Sequence, residues 1–225
     1  MIALALDTAT SDLIAGVVDT TTGRTLAEAL TRTRNHNEEL VPTVTRLLDD
    51  AGLAYPDIDT IVVGCGPGPF TGLRVGMATA SALGQALGVP VHGVVTHDAA
   101  AALLDAPSAL VVTDARRREV YWASYADGAR VDGPGVCAPG AIPFDGDVEV
   151  LSVPPELAGS VGVGARSTTY APPRAAGLVA AADLDWDPEP LVPHYLRRPD
   201  AVPPAARAKS PAIPDVDVDS LGERR

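Results

Sequence analysis

The stretch from Gly64 to Arg74 reads Gly-Cys-Gly-Pro-Gly-Pro-Phe-Thr-Gly-Leu-Arg, and it separates a short β-branched run from a long segment without acidic residues. Thr60 to Val63 predicts a strand before it, and Phe70 to Gly88 predicts a helix after it. Glycine permits positive φ angles and close backbone approach, so a tight strand-to-helix turn is expected here. Turns of this kind are typical of α/β folds.

The flanking sequence predicts a mixed sheet with helical crossovers. An amphipathic helix capped by Asn35 or Asn37 and ended by Gly52 precedes the stretch. Apolar runs predict further strands at Ile2 to Leu6, Leu13 to Val18, Thr25 to Thr31 and Val89 to Val95. The order β-β-β-α-β-α-β indicates one lobe of an actin/hexokinase-type (ASKHA, RNase-H-like) α/β fold.

A second, shorter lobe is expected after residue 97. A helix near Asp98 and one from Pro172 to Asp183 are predicted, with strands at Ala109 to Thr113, Glu119 to Tyr125, Val148 to Val153 and Val161 to Val163. The predicted organisation is an N-terminal actin-like lobe at 1–97, a C-terminal lobe at 98–199 and a disordered tail at 200–225, which is rich in Pro, Ala and charge.

Composition limits the function classes. The chain has 225 residues, a formal net charge of −12 and Lys209 as its only lysine, so on its own it is expected to bind nucleic acid poorly. Cys65 and Cys137 lack CxxC spacing and no signal peptide is visible, which predicts a cytoplasmic protein. Val75 to His97 lacks charge, but Gly88 and Pro90 within it disfavour a membrane span.

The glycine-rich stretch is a candidate anion site, because a helix N-terminus behind it offers free N–H groups. The stretch lacks the Gly-Lys-Ser/Thr ending of a Walker loop and the G-x-G-x-x-G spacing of a dinucleotide-binding loop. The alternative is therefore a tight turn that only leads the chain into the helix. Asp7 and its neighbours could contact phosphate or Mg²⁺, or form a simple Asx turn. The candidate nucleotide or phosphate residues are Asp7, Thr8, Thr10, Gly66, Gly68, Thr71, Arg74 and Asp114.

The helix after the stretch has no convincing solvent face. A stripe of small residues recurs every four positions along it: Gly72, Gly76, Ala80, Gly84 and Gly88. Helices that are apolar all round are normally buried, so a partner subunit is predicted to cover this one, with a contact between the two lobes as the alternative.

Other chemical signatures are weak. Arg116, Arg117 and Arg118 form a dense cationic cluster that could contact an acidic partner or phosphate, or be a solvated hairpin tip. The four histidines lack paired metal-ligand spacing, so no metal site is expected. No nucleophile motif or pair of spaced carboxylates marks a hydrolase.

Five motifs together resemble the bacterial TsaB (YeaZ-like) family: DTAT after the first strand, HNEEL, GPGPFTGLRVG, DARRREVYWASY and PHYLRRP. The resemblance spans roughly residues 1–199. It implies a non-catalytic dimerisation subunit that activates a TsaD-like enzyme, which transfers a threonylcarbamoyl group to the adenosine next to the anticodon of tRNAs. Pro69 departs from the family, where many relatives have Ser, and this weakens any nucleotide role for the loop.

The resemblance also implies partners. A TsaD-like catalytic subunit and a TsaE-like ATPase are expected, with a homodimer when the chain is alone, and with tRNA reached only through the complex. No cofactor is expected to bind tightly, although ATP or ADP and Mg²⁺ could bind at the level of the complex. The contact surface maps onto the first lobe's helices, with candidates His36, Leu40, Val44, Leu47, Gly72, Leu73, Gly76, Met77, Ala80 and Gly84. The alternative is a stand-alone nucleotide-binding enzyme, kinase-like or glycoprotease-like.

Overall fold

The computed structural model describes residues 1–197, so the tail predicted for 200–225 lies outside the described residues. Two five-stranded mixed sheets organise the described chain. The strands are β1 (Ile2–Asp7), β2 (Asp12–Asp19), β3 (Arg24–Arg32), β4 (Thr60–Gly64), β5 (Val91–Val94), β6 (Ser108–Asp114), β7 (Val120–Ala126), β8 (Ala129–Cys137), β9 (Asp147–Ser152) and β10 (Gly164–Thr169). The helices are α1 (His36–Asp50), α2 (Phe70–Leu87), α3 (Thr96–Ala101) and α4 (Ala175–Ala180).

The first sheet has the order β3-β2-β1-β4-β5. Strands β1, β2 and β3 form the predicted antiparallel meander, and β4 adds parallel to β1 with Leu6 opposite Val63. Side chains of α1 and α2 join one face of this sheet in a core around Leu4, Leu6 and Leu47. Residues of α3 and α4 join a second core on the other face, around Ile14 and Leu178. The central strand β1 is therefore covered on both sides.

The second sheet has the order β10-β9-β6-β7-β8. The prediction missed β8, whose sequence ARVDGPGVC carries Gly, Pro and charge and whose first four residues are exposed. The strand predicted at Val161 to Val163 was wrong, because β10 begins at Gly164 and pairs as an edge strand with β9. Edge strands tolerate polar, weakly periodic sequence, so periodicity alone locates them poorly.

The two halves of the chain are tied together through helices and polar side chains. Helix α4 belongs to the second half but packs on the first sheet and on α3. The Tyr170 hydroxyl donates a 2.6 Å hydrogen bond to Asp12 Oδ2, and Arg32 pairs with Glu156 at 2.7 Å. The division at residues 97 and 98 stays a prediction. The strands of the first sheet all precede it, whereas α4, which covers part of that sheet, follows it.

No helix among residues 1–197 is long and apolar enough to cross a membrane. The uncharged segment from Val75 to His97 contains most of α2, then Gly88, which ends that helix in a left-handed conformation, and strand β5.

The small residues of α2 face the chain's own sheet. A Cβ on Gly76 would lie 2.5 Å from Thr8 Oγ1, and one on Gly84 would lie 2.2 Å from Val91 Cγ2. Ala80 is fully buried in the core beneath the same helix. The stripe predicted to receive a partner helix is therefore already occupied, because it lets α2 lie directly on β1, β4 and β5.

We expect Gly72→Ala to destabilise the fold, because its Cβ would lie 2.2 Å from the carbonyl oxygen of Thr8, a backbone atom that cannot rotate away. Overpacking of this kind costs about 1–3 kcal/mol. The matched control is Gly159→Ala, whose Cβ meets nothing within 4 Å and which should be neutral or stabilising by about 0.4–1 kcal/mol. Urea unfolding of both variants measures the difference, and equal midpoints would contradict this packing.

Candidate functional site

The turn between β4 and α2 packs closely against residues 7–9, at and just after the end of β1. A Cβ on Gly64 would lie 1.9 Å from Asp7 Oδ2, and one on Gly68 would lie 2.2 Å from the carbonyl oxygen of Ala9. The Thr8 hydroxyl donates a 2.7 Å hydrogen bond to the Gly72 carbonyl oxygen. The glycines are thus required by close contact with residues 7–9 of the same chain.

Asp7 is fully buried at the centre of this turn. Its Oδ1 accepts a 2.7 Å hydrogen bond from the Ala9 N–H, and its Oδ2 accepts one of 2.8 Å from the Thr96 hydroxyl. Burial raises the pKa of Asp7 to about 6, against the opposite effect of these two hydrogen bonds. Both oxygens of the carboxyl group therefore already accept hydrogen bonds from within the chain.

Thr96 and His97, at the start of α3, connect this turn to the second sheet. The Thr96 hydroxyl also accepts a 3.2 Å hydrogen bond from the Gly66 N–H. His97 is fully buried and its Nε2 lies 3.2 Å from the hydroxyl of Thr113 on β6. Burial lowers the pKa of His97 to about 4, so the ring is neutral at physiological pH. Sequence reasoning missed this histidine, because nothing in its spacing marks it.

Residues 191–197, here called the C-terminal strap, cross the start of α2. The His194 N–H donates a 2.9 Å hydrogen bond to the Cys65 carbonyl oxygen. The rings of Tyr195 and Phe70 pack with centroids 4.4 Å apart. Arg74 donates from Nε to the Tyr195 hydroxyl at 3.1 Å and lies within 6 Å of both ring centroids. These contacts join Tyr195 of the motif PHYLRRP to Phe70 and Arg74 of the motif FTGLR.

The outward face of α2 carries small side chains and almost no charge. Its exposed residues are Thr71, Arg74, Ala78, Ser81, Ala82, Gln85 and Ala86. On neighbouring α1, Val41 is 46% exposed. None of these seven residues is acidic, in a chain that has 29 acidic side chains among its 225 residues. Depletion of charge marks the centre of many protein interfaces.

Comparison with known proteins gives the family. The family model of TsaD, a tRNA N6-adenosine threonylcarbamoyltransferase, matches residues 28–140. The chain belongs to this family as a TsaB/YeaZ-like member. YeaZ from Pseudomonas aeruginosa superposes with a TM-score of 0.69 at 27% identity, over 80% of this chain and 89% of that structure. This match and the two mixed sheets confirm the predicted two-lobed α/β fold.

Sequence relatives agree with the assignment of the TsaB/YeaZ-like chain. TsaB of Escherichia coli, a tRNA threonylcarbamoyladenosine biosynthesis protein, is 36% identical over 96 residues, which cover 41% of this chain and 42% of that protein. An uncharacterised protein of Mycobacterium leprae is 51% identical over 207 residues, which cover 90% of this chain and 56% of that protein. The matched segments thus cover about half the length of each of these two relatives.

The interface residues predicted for the TsaB/YeaZ-like chain need a correction. Most of them are buried by the chain itself, in the core between α1, α2 and the first sheet: Leu40, Val44, Leu47, Leu73, Gly76, Ala80 and Gly84. His36, Gly72 and Met77 are half-buried. Helical periodicity identified the apolar face correctly, but that face packs inward. A partner on these helices would meet the opposite faces.

The phosphate candidates of the TsaB/YeaZ-like chain divide into three groups. Asp7, Thr8, Gly66 and Gly68 lie together but are buried by their own contacts. Thr71 and Arg74 are exposed at the start of α2, and Pro69 makes no side-chain cap there. Thr10 bonds locally to Asp12, and Asp114 accepts the Arg116 N–H. Any nucleotide role for these residues stays a prediction.

The metal-ligand chemistry of the TsaB/YeaZ-like chain gives no candidate centre within residues 1–197, where no group of three or more His, Cys, Asp or Glu could hold an ion. Cys65 and Cys137 are free thiols, and burial raises the pKa of Cys65 to about 12. That thiol is therefore a poor nucleophile.

We expect Asp7→Asn to make stability depend more steeply on pH. The folded pKa of Asp7 is raised from 3.8 to about 6, so its contribution falls as pH rises through that window. The folded pKa of His97 is lowered from 6.5 to about 4, so its contribution rises between those values. The two effects oppose each other between pH 4 and pH 6.

Removing the Asp7 titration should leave the histidine effect unopposed, so the free energy of unfolding should rise with pH by up to about 1.4 kcal/mol per pH unit more than in the parent chain. His97→Gln should shift the slope in the opposite direction. Urea unfolding between pH 4.5 and 6 measures all three chains, and parallel profiles would show that neither group titrates as described.

Proposed function

We propose that this chain is a non-catalytic subunit of a complex that makes threonylcarbamoyladenosine in tRNA. It binds and activates a TsaD-like catalytic protein, which transfers the threonylcarbamoyl group to the adenosine next to the anticodon. The observation that carries this proposal is the outward face of α2, which is exposed, small and free of acidic residues in a chain of net charge −12. Surfaces that face water usually carry charges of both signs, whereas the centres of protein interfaces are depleted of charged residues, so a bound partner explains this face better.

The family relation supports the choice of partner. The match to the TsaD model, over residues 28–140, includes both α1 and α2. A TsaD-like protein therefore carries related helices at the corresponding place in its own first lobe. Two related surfaces can pack about an approximate twofold axis, as identical surfaces do in symmetric dimers. The same reasoning predicts that the chain forms a homodimer when its partner is absent.

The state of Asp7 supports a non-catalytic role. This carboxyl group is fully buried and both of its oxygens accept hydrogen bonds from the chain. A group so placed is unable to bind Mg²⁺ or phosphate unless the turn opens. We therefore propose that ATP or ADP, Mg²⁺ and a TsaE-like ATPase act at the level of the complex. The tRNA is also reached only through the complex, in the cytoplasm.

The proposal is tested by light scattering on this chain alone, on the TsaD-like protein of the same organism and on their mixture, followed by a tRNA modification assay. We expect a new heteromeric species and modification only when both proteins are present. Modification by this chain alone would contradict the non-catalytic role and favour the alternative, a stand-alone nucleotide-binding enzyme.

We expect Ala82→Glu to weaken association with the TsaD-like protein by at least tenfold. Ala82 is exposed at the middle of the outward face of α2, and an unpaired charge buried at an interface centre costs several kcal/mol. The chain's own fold should be unaffected, because the residue contacts solvent. Ala141→Glu, at an exposed position near the second sheet, is the matched control. Titration calorimetry measures both, and equal affinities would rule out this face as the contact.

A further inference from the structure

The hairpin between β6 and β7 has an unusual backbone. Arg116, Arg117 and Arg118 all have positive φ angles, of 60°, 54° and 64°. The loop is closed by hydrogen bonds from the Ala115 N–H to the Glu119 carbonyl oxygen and from the Glu119 N–H to the Arg116 carbonyl oxygen, both 3.0 Å. Three successive non-glycine residues are therefore held in the left-handed region.

This conformation is unfavourable for arginine. Tight hairpins favour positive φ because it matches the twist of the strands, and Gly and Asn are the residues that adopt it at little cost. In any other residue the Cβ approaches the following carbonyl oxygen too closely. Folding alone would therefore favour Gly or Asn at these three positions. For Arg116 and Arg118, this cost to stability points to a role outside the fold.

Neighbouring residues hold the backbone of the hairpin by hydrogen bonds and leave the side chains of Arg116 and Arg118 exposed to solvent. Arg197 of the C-terminal strap donates to the carbonyl oxygen of Arg116 and pairs with Glu119, while the Asp114 carboxylate accepts the Arg116 N–H at 2.8 Å. Arg116 takes part in these contacts only through its backbone N–H and carbonyl oxygen, which any residue would supply. The side chains of Arg116 and Arg118 are exposed and have no hydrogen bond or ion pair with residues 1–197.

We infer that this arginine hairpin binds the phosphate backbone of the RNA substrate when the chain is part of its complex. The inference rests on the proposed function, because the isolated acidic chain repels RNA. Guanidinium groups pair with phosphate oxygens through parallel hydrogen bonds. The location fits, since the C-terminal strap contacts the Arg116 carbonyl oxygen through Arg197 at 3.1 Å and, two residues earlier, packs Tyr195 on Phe70 at the start of α2. The strap thus places the hairpin near the start of α2, at the edge of the proposed partner surface.

A phosphate backbone fits this hairpin better than a protein partner does. Centres of protein interfaces combine arginine with large apolar side chains that exclude water. Residues 114–119 read Asp-Ala-Arg-Arg-Arg-Glu and so include no large hydrophobic side chain. Contacts with phosphate need only cations on an accessible, fixed backbone, and they position RNA without reading its sequence.

The test compares two double variants in the complex of this chain with the TsaD-like protein. Arg116→Gln with Arg118→Gln removes both charges, and Arg116→Gly with Arg118→Gly also relieves the left-handed backbone. Binding of unmodified tRNA is measured by fluorescence anisotropy between 50 and 200 mM salt. We expect both variants to weaken binding by about tenfold or more at low salt and to reduce the salt dependence by about one unit per lost contact.

The glycine variant should also raise the melting temperature of the isolated chain by several degrees. Arg24→Gln with Arg166→Gln removes two exposed arginines elsewhere and should leave tRNA affinity nearly unchanged. Unchanged affinity and salt dependence in the hairpin variants would overturn the inference, and so would loss of complex formation, which would make the hairpin a protein contact. Failure of the parent chains to associate or to bind tRNA would instead refute the proposed function, and the inference with it.

Discussion

The first lobe depends on the contact between the glycine-rich turn and the end of β1. Gly64, Gly68 and Gly72 each bring backbone against residues 7–9 at distances that a Cβ would prevent. This contact allows α2 to start directly above β1. The Thr8 hydroxyl then donates a hydrogen bond to the Gly72 carbonyl oxygen, and the Thr96 hydroxyl links Asp7 to the Gly66 N–H. The direction of α2, and hence of its outward face, follows from this packing.

The same turn determines how the second half of the chain is attached. Thr96 bonds to Asp7 and Gly66, while the next residue, His97, reaches Thr113 on the second sheet. The strap adds a connection at the start of α2 through Tyr195 and reaches the arginine hairpin through Arg197. The glycine-rich turn is therefore connected both to the second sheet and to the arginine hairpin. A partner that binds α2 would contact a part of the molecule that is linked to both lobes.

The sequence predicted the first lobe well because its signals are local. Strands β1 to β5 are apolar runs, and helices α1 and α2 are long segments that end at Gly52 and Gly88, so all seven were located within about two residues. The second sheet was harder, since β8 and β10 are polar edge strands whose pairing depends on distant residues. The burial of the predicted interface residues has a different reason. Spacing identifies a stripe of small residues, but it does not say whether a helix turns that stripe toward its own sheet or toward a partner.

Charge decides which role this chain can have in RNA chemistry. A net charge of −12 gives no long-range attraction to RNA, and at physiological salt such fields are screened beyond about 8 Å. Any favourable contact must then be local and must be made after a partner has brought the RNA close. A rigid hairpin suits that condition, because arginines on a fixed backbone lose less conformational freedom on binding than arginines on a mobile loop. The backbone strain of residues 116–118 and the acidity of the rest of the chain therefore have compatible explanations. Under the proposed function, the chain would contribute a contact to RNA only within an assembly, and its acidic composition would limit binding outside it.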